Sequence, residues 1–193
     1  MTGPRLIFLH FMTPIQKIMQ HIARPDPRVT SAFVNRLVPT LEDGDILLSR
    51  EEWHLTNPFV PGFWGHAAIV HGSLAVEAIG EGVVTQDLYR WLYQKDSVAV
   101  LRPNVGREQR KIAAEIAKGF ADRGIPYDYG FEPGDKSFYC SELVAYAYAK
   151  STADSFDFYP RLTFGVKTVV PQDFYNAKEQ NKFYLVDEEI NRA

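Results

Sequence analysis

His66-Ala67-Ala68-Ile69-Val70-His71-Gly72-Ser73-Leu74-Ala75-Val76-Glu77-Ala78-Ile79 is the stretch on which the reading of the fold turns. Two β-type runs flank a Gly-Ser pair, which is the mark of a tight hairpin turn. With Gly72-Ser73 as a two-residue loop, His71 faces Leu74, Ala68 opposes Glu77 and His66 opposes Ile79. Residues 66, 68, 77 and 79 then share one face of the sheet. His66 and Glu77 become diagonal neighbours, about 7–8 Å apart at the backbone and within side-chain reach. A loop changed by one residue turns Glu77 to the opposite face. His71 goes to the other face with Ile69 and Val76, and is read as structural or loop-exposed.

Working outward, Leu41-Glu42-Asp43-Gly44-Asp45 is a turn feeding the apolar run Ile46-Leu47-Leu48, and Asn57 to Gly65 is a loop rich in Pro, Gly and aromatics. Downstream, Val83-Val84 extends the sheet, Asp87 caps a short helix through Tyr93, and Ser97–Arg102 is another strand ended by Pro103. Arg107–Arg123 places Ile112, Ile116 and Phe120 on one helical face, with Gly124 at the C′ position. A second helix begins near Ser137 and runs to about Lys150, with Leu143, Val144, Ala147 and Tyr148 on one side. Residues 151–165 read as an aromatic loop, Pro171–Lys178 as a short helix and Lys182–Val186 as a last strand. Antiparallel strands with segregated helices define an α+β class.

Ahead of Leu41 the chemistry changes. Thr13-Pro14 and Asp26-Pro27 are both helix-start signals, followed by apolar residues at helical spacing: Ile15, Ile18, Met19 and Ile22, then Val29, Phe33 and Leu37. The expected organisation is a helical extension over 1–40 and a main domain over 41–193. Packing of the extension on its own domain is preferred to a partner or a membrane surface.

Composition narrows the function classes. The chain has 193 residues, with 21 Lys+Arg against 24 Asp+Glu, a net charge of −3, which argues against nucleic acid as a partner. A chain this long can bury roughly 70 % of its unfolded surface without staples. Its single cysteine, Cys140, excludes an internal disulfide framework and any zinc site built on several thiolates. His10, His21 and His54 show no ligand spacing, so no metal and no cofactor is expected. No apolar run reaches the ~18 residues of a membrane span. Arg5 to Phe11 loosely imitates a signal start, but His10 interrupts it and no small-residue cleavage site follows. The chain is therefore read as cytoplasmic, or as already lacking its signal.

Cys140 lies in Ser137-Phe138-Tyr139-Cys140-Ser141-Glu142-Leu143. With Ser137 as N-cap, Cys140 falls in the first helical turn, where unpaired N–H groups and the helix dipole favour a thiolate. A nucleophilic cysteine needs that placement and a nearby base. Taken alone, a free cysteine among apolar residues is more often a small core hydrophobe. His66 and Glu77 alone are likewise more often a satisfied histidine and a solvated strand residue.

The motifs together resemble a family. Gly44-Asp45-Ile46-Leu47, Gly65-His66-Ala67-Ala68-Ile69-Val70, Val76-Glu77-Ala78 and Tyr139-Cys140-Ser141-Glu142-Leu143-Val144 occur in the order expected for YiiX-like permuted papain-like cysteine hydrolases of the NlpC-like superfamily. Ile125-Pro126-Tyr127-Asp128-Tyr129 and Val170-Pro171-Gln172-Asp173-Phe174 look like further family elements. The similarity covers about 41–176. It implies a permuted papain-like fold, an antiparallel sheet or small barrel packed against helices, with the catalytic cysteine at a helix N-terminus. It also implies Cys140 as nucleophile, His66 as general base and Glu77 as orienting residue, with Tyr127 lining the substrate cleft or assisting an oxyanion hole. The expected activity is hydrolysis of a small amide or ester substrate through a thioester, the oligomeric state being open. Two other readings stand beside it: a lipid acyltransferase of the lecithin–retinol type, and a non-catalytic binding module that kept the fold. Phe156, Phe158, Tyr159 and Phe164 either supply an apolar acyl pocket or tuck onto the core.

Overall fold

The Gly72-Ser73 turn forms with the register read from the sequence. A computed structural model of the chain describes residues 28–52, 60–130, 134–153, 155–156, 158–159, 161–163 and 166–191. The readings made for residues 13–25, for His10, His21, His54 and for Phe164 lie outside the described residues. In the hairpin, β2 (His66–His71) and β3 (Leu74–Ile79) pair antiparallel, with His71 opposite Leu74 and Ala68 opposite Glu77. Gly72 takes the left-handed conformation (φ 57°) that this turn needs.

The hairpin sits in a six-stranded sheet that also contains β1 (Ile46–Arg50), β4 (Gly82–Asp87), β5 (Ser97–Pro103) and β8 (Phe183–Glu189), in the order β4-β3-β2-β1-β5-β8. Every pairing is antiparallel. Of the two forms expected, the open sheet is the one adopted, with β4 and β8 at its edges. The four inner strands are apolar at most positions because both of their faces are covered. On one face Ile46, Leu48, Ile69, Val76, Ala99 and Leu101 pack under α3 (Arg107–Asp122) and α4 (Cys140–Ser151). On the other, Leu47, Ala68, Val70, Ala75, Val98 and Val100 meet α1 (Ser31–Leu37) and α2 (Leu88–Leu92).

Local chemistry sets the element ends. Thr30 caps α1 by accepting from the Phe33 N–H, and Phe33, Val34 and Leu37 are buried on the sheet. Asp87 caps α2 through the Arg90 N–H, and Gly124 follows α3 at φ 62°. Gly44 is tied to its place differently. Its φ is +89°, and a Cβ there would lie 2.5 Å from the Arg110 carbonyl oxygen. The Tyr148 hydroxyl donates to its carbonyl.

Four elements depart from the sequence reading. The helix read as starting at Asp26-Pro27 begins at Ser31, with Thr30 as its N-cap and residues 28–30 outside it. The cysteine helix starts at Cys140 with Tyr139 as N-cap, not near Ser137. Phe138 is held extended by a bridge to Tyr127, its N–H donating to Pro126 and its carbonyl accepting from Asp128. The run read as an aromatic loop includes a strand, β6 (Arg161–Thr163), which pairs with β7 (Val166–Thr168) just beyond it in a separate ribbon. The last strand continues to Glu189, beyond Val186, on the β5 ladder. Within the former loop, Phe158 stacks on Phe174 and meets Phe183, while Phe156 packs on Tyr148 and Phe183. Of the two readings given to that aromatic group, these two rings follow the core one.

Candidate active site

His66 is the first residue of β2, at the end of the sheet where its two covered faces meet. Its ring reaches Glu77 along the α1/α2 face, with Nε2 2.6 Å from Glu77 Oε2. It also faces Cys140, which opens α4 from the opposite layer, closely enough that the charge of each acts on the other. The residues singled out in the sequence are thus brought into one chain of contacts, Cys140–His66–Glu77.

The hydrogen bonds fix the direction of that chain. Glu77 Oε2 lies 2.8 Å from the indole Nε1 of Trp91 as well. An indole nitrogen only donates, so Oε2 accepts from two nitrogens and His66 Nε2 carries a hydrogen. Nδ1 is the ring nitrogen left for the thiol. Glu77 is buried at 4 % exposure, and a buried carboxylate with two N–H donors is satisfied only in its charged form.

The electrostatics follow. Burial alone raises the Cys140 thiol, but the His66 charge and hydrogen bond, with N–H donors from Ala67 and Ser141, bring it below its ordinary value. Burial works against charge on His66 too, yet Cys140 first and Glu77 second push it up to about 10. Glu77 is likewise opposed by burial and is held at about 2 by His66, Lys95 and Trp91. A thiolate–imidazolium pair beside a carboxylate is the state these groups favour.

Neighbouring segments hold the pieces in place. Ser141 donates to the Val169 carbonyl at 2.8 Å, and the Val169 N–H reaches the Tyr139 hydroxyl at 3.3 Å, so both residues flanking Cys140 are tied to one strap. That strap continues into α5 (Pro171–Asn176), where Asp173 accepts from the Val170 N–H. Gln172 Oε1 accepts from the Phe63 N–H at 2.8 Å, fixing the chain just before His66. Glu142, at the third helical position, accepts from the Tyr139 N–H in place of a side-chain cap. Burial, reinforced by Asp128, raises its carboxyl to about 8, and among the described residues its Oε2 has no hydrogen-bond partner.

Tyr127 belongs to the same neighbourhood. Its ring meets Tyr129 at 4.8 Å, and burial together with the Cys140 charge raises its hydroxyl well above the usual value. His71 stays apart, 3.3 Å from Glu115. Sequence reasoning missed Trp91, whose place on an apolar stripe with Leu88 and Leu92 signals only a core residue. It also gave Gln172 and Glu142 no task beyond their motifs. Glutamate at the third position after an uncapped helix start was the one signal available for Glu142.

A cysteine opening a buried helix, met by a histidine from a strand earlier in the chain, is the permuted order of the papain-like fold. The chain belongs to the permuted papain-like amidase family described as YaeF/YiiX, C92, whose model matches residues 40–184. A crystal structure of metalloprotein yiiX from Escherichia coli O157:H7 has the same fold, with a TM-score of 0.58 and 20 % identity over 78 % of this chain and 98 % of that one. No curated protein matches the chain. Membership makes it an amidase-type hydrolase at the level of the family.

That neighbour is described as a metalloprotein. Among the described residues no group of three or more His, Cys, Asp or Glu side chains could hold one. At the candidate site His66 stands between Cys140 and Glu77 and spends a nitrogen on each. The three donors do not converge on a common point. Among the described residues no helix is long and apolar enough to cross a membrane.

Proposed function

We propose that the protein is a cysteine hydrolase that cleaves an amide or ester bond of a small substrate through a thioester, with Cys140 as nucleophile, His66 as base and acid, and Glu77 as orienting residue. The observation that carries this reading is the His66 ring, held by Glu77 at 2.6 Å through Nε2 and facing Cys140 at the first position of α4, so that the charges of the two are coupled.

In this mechanism the Cys140 proton resides on His66, and the thiolate attacks the substrate carbonyl. The C–S bond forms as the carbonyl π electrons move to oxygen. That oxyanion is met by the backbone N–H of Cys140, one of the donors a helix start leaves unpaired, and by the Tyr127 hydroxyl. Collapse expels the amine or alkoxide, which takes the proton from His66, leaving an S-acyl enzyme. Water then gives a proton to His66 and its oxygen to the acyl carbon. The thiolate departs and the acid is released. Glu77 keeps its negative charge throughout and holds the imidazole with Nδ1 towards sulfur.

The experiment is a thioester trap. Intact-mass spectrometry after rapid acid quench with an activated acyl ester should show one acyl group on Cys140, chased by water or hydroxylamine. Cys140→Ala should carry no acyl group and turn over nothing. Unchanged turnover in that variant would overturn the assignment.

A further inference from the structure

We propose that Trp91 is a positioning residue for the reaction: its indole N–H fixes the Glu77 carboxylate against His66, and buried Lys95, paired with the partly buried Glu51, fixes the indole in turn. The inference rests on the hydrolase reading above and deepens it.

The geometry is specific. One carboxylate oxygen, Glu77 Oε2, takes both His66 Nε2 at 2.6 Å and Trp91 Nε1 at 2.8 Å. An sp² oxygen offers two in-plane lone pairs, and two donors on one oxygen pin the carboxylate plane. A carboxylate held by the imidazole alone would be free to turn about its last bond and carry the ring with it. The indole has no such freedom. It is fully buried among Leu88, Leu92, Ala75 and Val100, and it sits on α2, whose capping residue Asp87 ends β4. β4 is the strand paired to β3 at Glu77 itself, opposite Val84.

A second layer lies behind the ring. Lys95 is buried at 5 % exposure, its Nζ 4.7 Å from the Trp91 ring and 2.6 Å from Glu51 Oε1. A buried ammonium is costly unless paired, and here it is paired with both a carboxylate and an aromatic face. Its charge also favours the ionised form of Glu77. A tryptophan that only filled the core would have no use for an ion pair stacked on it. The opposing account is that Glu77 merely satisfies a buried indole N–H.

The two accounts separate in a double-mutant cycle read by the rate of Cys140 alkylation with iodoacetamide at pH 6–7. Loss of one charge-assisted hydrogen bond should slow Trp91→Phe about tenfold. Glu77→Gln should be slower still, and adding Trp91→Phe to it should slow alkylation no further, because both act through one carboxylate. To keep volume constant, benzothienylalanine at position 91, which lacks only the N–H donor, should reproduce Trp91→Phe, with urea unfolding as the check on stability. An unchanged rate with benzothienylalanine, or losses that multiply in the double variant, would overturn the positioning role while leaving the hydrolase reading intact. A wild-type thiol that alkylates like a free cysteine would overturn both.

Discussion

Replacing Glu77 by Gln removes one charge and almost no volume, which makes it the sharpest perturbation of the site. The amide can still accept from His66 Nε2 and Trp91 Nε1, so the packing survives and the charge does not. Two unit charges about 4 Å apart at an effective dielectric near 20 interact by about 4 kcal/mol, equivalent to roughly 3 pH units. The His66 side chain is 22 % exposed, so solvent screens part of this. A fall of about 2 units in the His66 imidazolium pKa is expected, making the thiolate–imidazolium pair about a hundredfold less favoured over the neutral pair. The assay is the alkylation rate from pH 4 to 9, and with one cysteine in the chain every labelled thiol is Cys140. Glu77→Gln should lose thiolate reactivity at neutral pH and recover it only as the thiol titrates normally, near pH ~8.5. The same substitution flattens acid stability. Glu77 is held at about 2 against an ordinary 4.5, so its contribution is fully present above pH 4.5 and is lost as pH falls through 2. That contribution is about 3 kcal/mol. A Glu77→Gln profile that overlays the wild type would refute the reasoning and reduce Glu77 to a passive acceptor.

Cys140→Ala should lower the His66 pKa seen by NMR, since the Cys140 thiolate is the first cause raising it; a His66 titration still near 10 would remove the sulfur from the pair. Tyr127→Phe should lower kcat by about 10- to 100-fold with KM little changed, if its hydroxyl meets the oxyanion, whereas a cleft-lining role would move KM instead. Glu142 is held at about 8 against an ordinary 4.5, so the folded state keeps a proton that the unfolded chain gives up. Its neutral form supports the fold fully below pH 4.5, and that support is lost as pH rises through 8. Glu142→Gln, which can still accept from Tyr139, should therefore be more stable than wild type at pH 9, by on the order of 3 kcal/mol in urea unfolding, and about equal to it at pH 4. Equal stabilities at pH 9 would show the carboxyl to be ionised without penalty.

What could be read from the sequence was whatever a short-range rule fixes. Gly72-Ser73 set the register of the hairpin, and the register put His66 and Glu77 on one face two positions apart. Side-chain period and turn length decide that without help from the rest of the chain. Asp87 and Gly124 marked helix ends for the same reason, each acting within one turn of itself. Ser137 misled because an N-cap residue was available but the backbone had another use. Phe138 pairs with Tyr127, so the chain stays extended until Cys140. The ribbon over 161–168 gave no period to read, since its two strands are three residues each.

The meeting of Cys140 with His66 belongs to a different level. The Glu77 side chain and Cys140 lie on opposite sides of the sheet, and a side chain in the middle of β2 could touch only one of them. His66 touches both because it is the terminal residue of its strand, held at the sheet end by Gln172 and the segment 60–65. The sequence reading starts the strand at His66, after Trp64-Gly65, but gives no sign that its first ring will meet side chains on both sides of the sheet. The position follows from β1, whose Ser49 pairs with His66, and from the β2–β3 ladder, whose pairing begins at Ala68 and Glu77. The one cysteine is placed by similar means, through Tyr139 and Ser141 on the Val169 strap, some thirty residues away in sequence. Family resemblance supplied that juxtaposition without its cause. The physical cause is that a sheet buried on both faces has its end as the place where one ring can meet side chains on both sides of it. A catalytic assignment to these residues therefore stands on the strand start of β2. Lengthening β2 by one ordered residue before His66 would draw the ring in over one face and part it from the thiol.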